Sequence, residues 1–353
     1  MTHLELDKVA VKFSDFKIED ISFRLDKGKF LVLLGPSGSG KTSLIQAICG
    51  IIPVDKGKVL IDGKCINEVP IHKRKIGMVF QDFALFPHLN VFENIAFGLR
   101  IKRAKDIKAK VNKLLELIEL PNYANRKVYE LSGGEKQRIA LARTIASEPD
   151  IILFDEPMSA LDESLRDRLR SIIKSIVKKL NITTIYVTHD QEEAFYLADY
   201  IGIMSKGRLI RYDIGERLWK DPQNELSADF LGIQNQFDTR VKEIDKTDDG
   251  YIYKLLLEDL LFTVKSSTKY TINDTVRICF RAESVYLSFK NKGINSFPAY
   301  VQSYQVIGSY IDFVLKVGNN IIACRTYRTI SLQDFDKQTL YCTIPEHAIG
   351  IIN

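Results

Sequence analysis

Long hydrophobic runs are absent from this sequence. The longest apolar stretches, such as FLVLL at 30 to 34, are far shorter than the ~18 residues that a membrane-spanning helix requires. The first residues, MTHLELDK, contain neither a basic cluster nor an apolar segment, so we expect no secretory signal peptide. We therefore expect a chain that does not cross a membrane by itself.

Cysteine is scarce, and neither sign of charge dominates. The five cysteines are scattered without any Cys-x-x-Cys spacing, which indicates reduced thiols in a cytoplasm and argues against a disulfide framework or a zinc site. The 50 basic and 45 acidic side chains leave a net charge of +5, which is too small and too evenly spread to indicate a nucleic-acid-binding surface. A protein that works beside an anionic membrane surface fits this charge equally well.

Two residue patterns divide the 353 residues into two predicted domains, 1–235 and 236–353. In the first domain, β-rich runs alternate with helix-period segments, which predicts a mostly parallel sheet covered by helices. The predicted strands lie at 29–35, 58–62, 75–80, 150–156 and 183–189, and predicted helices lie at 41–49, 163–180 and 191–197. A charged helical stretch at about 86–149 interrupts this alternation and predicts a helical insertion.

The second domain has a different composition. From about residue 236 onward, short runs rich in Val, Ile, Tyr, Phe and Thr are separated by turn signals such as Asp-Gly and Gly-Asn-Asn. This pattern predicts a small all-β domain, either a barrel or a sandwich.

A phosphate-binding loop is predicted at 35–42, where GPSGSGKT follows a predicted strand and begins a predicted helix. Its glycines allow successive backbone N–H groups to point at phosphates, with the helix N-terminus behind them. Lys41 is expected to reach the β- and γ-phosphates, and Thr42 to offer its hydroxyl to Mg²⁺. The residues predicted to surround the nucleotide are Gly35, Pro36, Ser37, Gly38, Ser39, Gly40, Lys41, Thr42 and Ser43.

An acidic pair follows the apolar run IILF, at the end of a predicted buried strand. Asp155 is expected to hold the magnesium ion through water, and Glu156 to polarise the attacking water as a general base. An acidic pair after a strand is, taken alone, more often a helix cap than a catalyst. The upstream phosphate loop favours the catalytic interpretation here.

Two further polar residues end predicted strands of the same sheet. His189 follows TTIYVT and could donate a hydrogen bond to the γ-phosphate, although a lone histidine is usually an ordinary surface or core residue. Gln81 follows KIGMVF and could orient the water or bind the metal, although a lone glutamine usually does neither.

LSGGEKQR at 131–138 is an unusual start for a helix. Ser132 and Glu135 fit a capping box. Lys136 and Arg138 nevertheless place cations at the positive end of the helix dipole, which costs a few tenths to about 1 kcal/mol each. The arrangement predicts that an anion binds at this helix N-terminus.

These motifs, in this order, resemble the nucleotide-binding subunit of an ATP-binding-cassette (ABC) transporter over roughly residues 1 to 232. LSGGEKQR is the most specific of them, because other P-loop enzymes lack it. The resemblance implies that Ser132, Gly133 and Gly134 contact the γ-phosphate of ATP held by the other subunit of a head-to-tail dimer. The capping-box interpretation of Ser132 is compatible with this role.

The resemblance also implies roles for single residues, with ATP and Mg²⁺ as the bound groups. Asp162, in SALD at 159–162, resembles the key acid of a loop that crosses the dimer interface. Gln81 resembles the lid glutamine and a metal ligand beside Thr42 and Asp155, and His189 resembles the switch histidine. Phe13 is expected to stack on adenine, with Phe16 as a close rival.

The fold implied is an α/β P-loop NTPase (RecA-like) core with a helical insertion, followed by a C-terminal all-β domain. That last domain resembles the oligonucleotide-fold-like (TOBE) accessory domain of importer ATPases for maltose, ferric iron, polyamines and similar cargo. FRAESVYLS is similar to a recurrent Arg-Pro-Glu turn in those domains, but Ala282 replaces the proline, which weakens any role carried over to Arg281 or Glu283.

The function implied is that of a peripheral membrane ATPase on the cytoplasmic face of the plasma membrane. Its expected partners are a second copy of itself, two integral-membrane permease subunits and, indirectly, a solute-binding protein, with no nucleic acid. A soluble relative acting on nucleic acid or ribosomes is the main alternative, but only 90 residues separate Lys41 from Ser132 and there is one cassette. An exporter is disfavoured by the C-terminal β domain.

The cargo is not encoded by any residue of this chain, because the solute contacts other subunits. The stretches VFQDFALFPHLNVFENIAFGLR and ADFLGIQNQF carry a likeness to polyamine importers. Ferric iron, sugars and oxyanions stay open as alternatives.

Overall fold

The computed structural model describes residues 1–12, 16–159, 161–248, 250–327 and 339–352. The chain divides into two compact units, Met1–Gly215 and Glu216–Asn353, and each has its own hydrophobic core. None of the helices in the described ranges is long and apolar enough to cross a bilayer. The predicted domain boundary at 235/236 lies 20 residues after this division and stays a prediction.

Two sheets form the framework of the first unit. Its strands are β1 (Thr2–Lys12), β2 (Lys17–Asp26), β3 (Phe30–Leu34), β4 (Lys56–Ile61), β5 (Lys64–Cys65), β6 (Ile76–Val79), β7 (Ile151–Asp155), β8 (Thr183–Thr188), β9 (Tyr200–Ser205) and β10 (Arg208–Asp213). The larger sheet has the order β10-β9-β3-β8-β7-β6, with parallel pairing from β9 to β6 and an antiparallel edge strand β10. Every residue of β3, β7 and β8 is buried, as expected for parallel strands covered on both faces.

The strand predicted at 58–62 exists as β4, but it does not join the parallel sheet. It pairs antiparallel with β1 in a separate sheet of order β2-β1-β4-β5. The reason is that a strand's own residue pattern indicates its burial, whereas its pairing partner depends on the whole chain. The other four predicted strands of this unit are confirmed as β3, β6, β7 and β8.

Helices cover the parallel sheet and fill the predicted insertion. They are α1 (Lys41–Cys49), α2 (Val91–Ile101), α3 (Ile107–Leu117), α4 (Gly133–Ala146), α5 (Glu163–Leu180) and α6 (Gln191–Leu197). The helices predicted at 41–49, 163–180 and 191–197 are confirmed with the same bounds. The insertion contains α2, α3 and α4, and α2 begins at a capping box formed by Asn90 and Glu93.

The second unit is mainly antiparallel β structure. Near its start lie two short helices, α7 (Gly215–Lys220) and α8 (Glu225–Phe230). The strands that follow are β11 (Asn235–Thr247), β12 (Gly250–Leu257), β13 (Leu260–Ser266), β14 (Thr275–Phe280), β15 (Tyr286–Ser288), β16 (Ser296–Ile307), β17 (Tyr310–Val317), β18 (Asn320–Tyr327), β19 (Leu340–Thr343) and β20 (Gly350–Ile352). They form two five-stranded sheets, β13-β12-β11-β14-β20 and β15-β19-β16-β17-β18, which confirms the predicted all-β class.

Candidate active site

Polar side chains meet at the carboxyl ends of four neighbouring parallel strands. The phosphate-loop motif follows β3, Asp155 ends β7, His189 follows β8, and Gln81 follows β6. In the sheet these strands lie in the order β3-β8-β7-β6. Ligands of open α/β sheets bind at this edge, so the predicted site residues are gathered where a ligand is expected.

The phosphate-loop motif has the backbone that its glycines predict. Gly38 and Gly40 have φ of 76° and 98°, in the left-handed region that side chains disfavour. Gly40 caps α1, whose first N–H groups lack partners within the helix. The loop and α1 line a cleft of about 400 Å³ together with Phe16 and Glu156.

The Lys41 ammonium is held inside the loop. Its Nζ donates 2.9 Å hydrogen bonds to the carbonyl oxygens of Gly35 and Pro36, and the side chain is buried. Burial lowers the pKa of Lys41, while the carboxylates of Glu156 and Asp155 act in the opposite direction. The cation therefore lies at the base of the cleft, beside two acids.

Thr42 and Asp155 provide oxygen atoms suited to a magnesium ion. The Thr42 hydroxyl donates a 2.7 Å hydrogen bond to Asp155 Oδ1, and Asp155 is buried. Burial raises the pKa of Asp155, and the Thr42 hydroxyl opposes that shift. The buried Ser39 hydroxyl has no hydrogen-bond partner among the described residues. A hydroxyl, a carboxylate and an unsatisfied buried hydroxyl fit a site for Mg²⁺ and phosphate oxygens.

Glu156 lies between His189 and the residues that follow β6. Its φ of 42° is unusual for a residue with a side chain, and its carboxylate Oε2 lies 3.5 Å from His189 Nδ1. Gln81 Nε2 donates to Ser159 Oγ at 3.2 Å, and Ser159 Oγ donates to the Glu156 carbonyl at 3.1 Å. The three strand-end residues are thus joined within one network.

Sequence reasoning missed two members of this region. The sequence indicates no role for Ser159 beyond its place in SALD, and none for Arg166. Arg166 lines a small cavity with Glu156 and His189, and its Nε donates a 3.0 Å hydrogen bond to the Leu161 carbonyl. An arginine in the first turn of an amphipathic helix carries no signal that would have indicated this position.

The predicted signature stretch begins α4. Ser132 N donates to Glu135 Oε2 at 2.8 Å, and Glu135 N donates to Ser132 Oγ at 3.3 Å, so the capping box is present. One of the two unexpected cations has a partner elsewhere. Arg138 Nη1 donates a 3.2 Å hydrogen bond to the carbonyl of Ile118, the C-cap of α3, where a helix dipole is negative.

The signature residues are not brought to the cleft of their own chain. Ser132, Gly133 and Gly134 do not line the cleft beside the phosphate loop in the described part of the chain.

Asp162 caps α5, accepting from Leu165 N at 3.0 Å, and this hydrogen bond is the main cause of its lowered pKa. Phe13 lies outside the described residues, whereas Phe16 lines the cleft.

Comparison with known proteins identifies relatives along most of the chain. The family profile described as ABC transporter matches residues 18–159. The spermidine/putrescine import ATP-binding protein PotA of Clostridium novyi (strain NT) is 37% identical over 322 residues, covering 89% of this chain and 88% of that protein. The protein of the same name from Borrelia garinii subsp. bavariensis (strain ATCC BAA-2496 / DSM 23469 / PBi) is 41% identical over 279 residues, covering 78% of each chain.

A solved structure matches more than half of the chain. It is the dimeric structure of a post-hydrolysis state of the ATP-binding cassette MJ0796 bound to ADP and Pi. The match has a TM-score of 0.54 and 30% sequence identity, and it covers 60% of this chain and 98% of that one. The chain is therefore similar to an ATP-binding cassette in its fold as well as in its sequence.

Proposed function

Because this chain belongs to the ABC transporter family, as an ATP-hydrolysing subunit of the importer type, we propose that it powers polyamine uptake through separate membrane subunits. It binds ATP with Mg²⁺ and couples ATP hydrolysis to transport. The observation that carries the ATP-hydrolysing part of the proposal is the convergence of Lys41, Thr42, Asp155 and Glu156 at one edge of the parallel sheet.

We assign the phosphates to the loop between β3 and α1. Its backbone N–H groups and the Lys41 ammonium are the donors for phosphate oxygens. Thr42 and Asp155, with Gln81, are the residues that would hold Mg²⁺, which neutralises phosphate charge when bound. Phe16 lines the same cleft and is our candidate for the adenine contact, with Phe13 retained as the alternative from the sequence.

Glu156 is the proposed general base. Its carboxylate accepts the proton of the water whose oxygen attacks the γ-phosphorus, and the bond from that phosphorus to ADP breaks. His189, whose Nδ1 lies 3.5 Å from Glu156 Oε2, is proposed to donate a hydrogen bond to the γ-phosphate. Gln81 is proposed to orient the water or the metal from the opposite side.

The chain dimerises and works with membrane permease subunits, and it is associated with the membrane. More specifically, we propose a head-to-tail dimer of two copies, in which Ser132, Gly133 and Gly134 contact the nucleotide held by the partner and the Asp162 loop lies at the interface. In the described part of the chain, the helix N-terminus at Ser132 does not line the phosphate cleft of its own chain, and this supports the arrangement. Two permease subunits, an indirect contact with a solute-binding protein and a peripheral position on the cytoplasmic face complete the proposal.

Polyamine is the proposed cargo because the two bacterial relatives are spermidine/putrescine import ATP-binding proteins and match most of this chain. Polyamines do not contact this subunit in the proposed arrangement. Ferric iron, sugars and oxyanions are the alternative cargoes, and an uptake measurement distinguishes them from polyamines.

The test measures uptake of labelled putrescine, spermidine, ferric iron and maltose in host cells that carry wild type or Glu156→Gln. We expect the variant to lose uptake of putrescine and spermidine while ferric iron and maltose enter normally. The matched control is Glu258→Gln, which removes an exposed carboxylate from the second unit. Normal polyamine uptake in the Glu156→Gln cells, with loss of another cargo, would replace the polyamine assignment.

A further inference from the structure

The chain takes an unusual path immediately after Gln81. Phe83 and Ala84 both have positive φ, at 65° and 46°, although neither is glycine. Two consecutive left-handed residues with side chains are conformationally unfavourable and persist only when surrounding contacts hold them. We therefore expect contacts from other parts of the chain to stabilise the turn that follows Gln81.

Arg143 supplies that contact from α4, the helix that begins at Ser132. Its Nη1 donates a 2.6 Å hydrogen bond to the Ala84 carbonyl, and its Nη2 donates a 3.1 Å hydrogen bond to the Phe83 carbonyl. Its guanidinium carbon also lies 5.3 Å from the centre of the Phe86 ring. Among the described residues, no other side chain donates to the carbonyls of Phe83 and Ala84.

The chain on either side of this turn is fixed by other elements. Asn94 of α2 binds both backbone groups of Phe86, accepting from its N–H at 2.9 Å and donating to its carbonyl at 3.2 Å. On the other side, Gln81 is joined through Ser159 to the Glu156 carbonyl. Arg143 thus holds the segment that connects the Gln81 network to the helical insertion.

We propose that Arg143 is a positioning residue that ties the Gln81 turn to the signature helix, so that movement of α4 is transmitted to Gln81 and the Glu156 network. The inference rests on the proposed function, because it assigns a role within the same site. Arg143 lies more than two turns along α4 from Ser132 and is not among the described residues that line the phosphate cleft.

The two hydrogen bonds come from separate nitrogens, Nη1 and Nη2, of one planar guanidinium. Lysine keeps the positive charge, but its one freely rotating ammonium cannot reproduce two bonds from separate nitrogens of a planar group together with the contact to the Phe86 ring. Arg143→Lys therefore tests the geometry of the contact separately from its charge. Arg143→Gln removes both.

The experiment compares ATP hydrolysis by the purified full-length chain in wild type, Arg143→Lys, Arg143→Gln, Gln81→Ala and the two double variants. Arg143→Lys is expected to lower kcat about tenfold while KM for ATP changes by less than about twofold, because the phosphate loop is untouched. In the Gln81→Ala background the same substitution is expected to cause little further loss, since residues that act through one another are not additive.

The matched control is Arg240→Gln, which removes an exposed arginine from the second unit and should leave hydrolysis unchanged. Hydrogen exchange of peptides covering 80–86 should accelerate in Arg143→Lys while exchange in α1 stays the same. If Arg143→Gln does not fold, Arg143→Lys and its double variant still decide the question.

Two results would overturn the inference. One is an unchanged kcat in Arg143→Lys. The other is a double variant whose decrease in kcat equals the product of the decreases in Arg143→Lys and Gln81→Ala; the two residues would then act independently, and Arg143 would be a merely structural residue. A wild-type chain that fails to hydrolyse ATP would instead overturn the proposed function, and this inference with it.

Discussion

The Thr42 hydroxyl and the Asp155 carboxylate are joined by a 2.7 Å hydrogen bond across 113 residues of sequence. Thr42 lies in the first turn of α1, and Asp155 is the last residue of β7. The contact places the end of the phosphate loop against the acidic strand, in a buried position that favours an ion with oxygen ligands. It also leaves a carboxylate where its charge is poorly solvated, which has a measurable consequence.

Asp155→Asn is expected to raise the melting temperature of the chain in EDTA at pH 7 while abolishing ATP hydrolysis. Burial raises the pKa of Asp155 above its ordinary value of 3.8, so the ionised carboxylate is disfavoured in the folded state. The neutral amide relieves that cost and keeps an oxygen for Thr42. A free-energy gain of about 1 kcal/mol corresponds to a rise of roughly 2–4 °C for a domain of this size.

The size of this stabilisation should depend on pH. A group with a raised folded-state pKa contributes full stability below its unfolded value, and that stability is lost as pH rises through the folded value. The advantage of Asp155→Asn should therefore be present at pH 7 and shrink as the pH falls toward 4. Calorimetry with Asp7→Asn as the exposed control checks it, and a lower melting temperature at pH 7 would show that Lys41 stabilises the carboxylate instead.

Lys41→Ala is expected to reduce ATP turnover by at least ~100-fold, because a charged donor to the phosphates is lost from a buried position. Steady-state hydrolysis measures the loss. Lys56→Ala, which removes an exposed lysine from β4, is the control. Turnover near that of wild type would contradict the assignment of the phosphate loop.

Glu156→Gln is expected to bind MgATP and to accumulate as a closed dimer, because the amide keeps the shape of the side chain but cannot accept the proton from water. Light scattering in saturating MgATP should report twice the mass of the 40.3 kDa chain. Glu258→Gln, treated in the same way, should turn over nucleotide and not accumulate the dimer. A Glu156→Gln chain that stays monomeric would count against the ATP-sandwich arrangement.

Ser132→Arg and Lys41→Ala are each expected to be inactive alone and to complement each other when mixed. In a head-to-tail dimer, one composite site then combines the intact Lys41 of one copy with the intact Ser132 of the other. Random pairing should restore on the order of a quarter of wild-type activity if the sites work independently. No recovery, or loss of nucleotide binding by monomeric Ser132→Arg, would indicate that Ser132 acts within its own chain.

In the first unit, helices and strands were predicted well where the residues that determine them are consecutive in the sequence. The bounds of α1 were predicted as 41–49 and observed as Lys41–Cys49, because the loop motif fixes its start and the left-handed Gly50 its end. The predicted strand at 58–62 joined another sheet, and no strand was predicted at β1 or β2. In β1, irregular pairing between Leu6 and Val9 and the positive φ of Lys8 break the alternation that would indicate a strand.

The sequence by itself determined the phosphate loop, the acidic strand end and the capped signature helix, since each is encoded by consecutive residues whose backbone preferences act locally. Only the tertiary structure decided which distant groups meet. Thr42 reaches Asp155, Arg138 reaches the end of α3, and Arg143 reaches the turn after Gln81. Such contacts join residues from 20 to 113 positions apart and depend on how helices pack on the sheet, which no single segment of the sequence specifies.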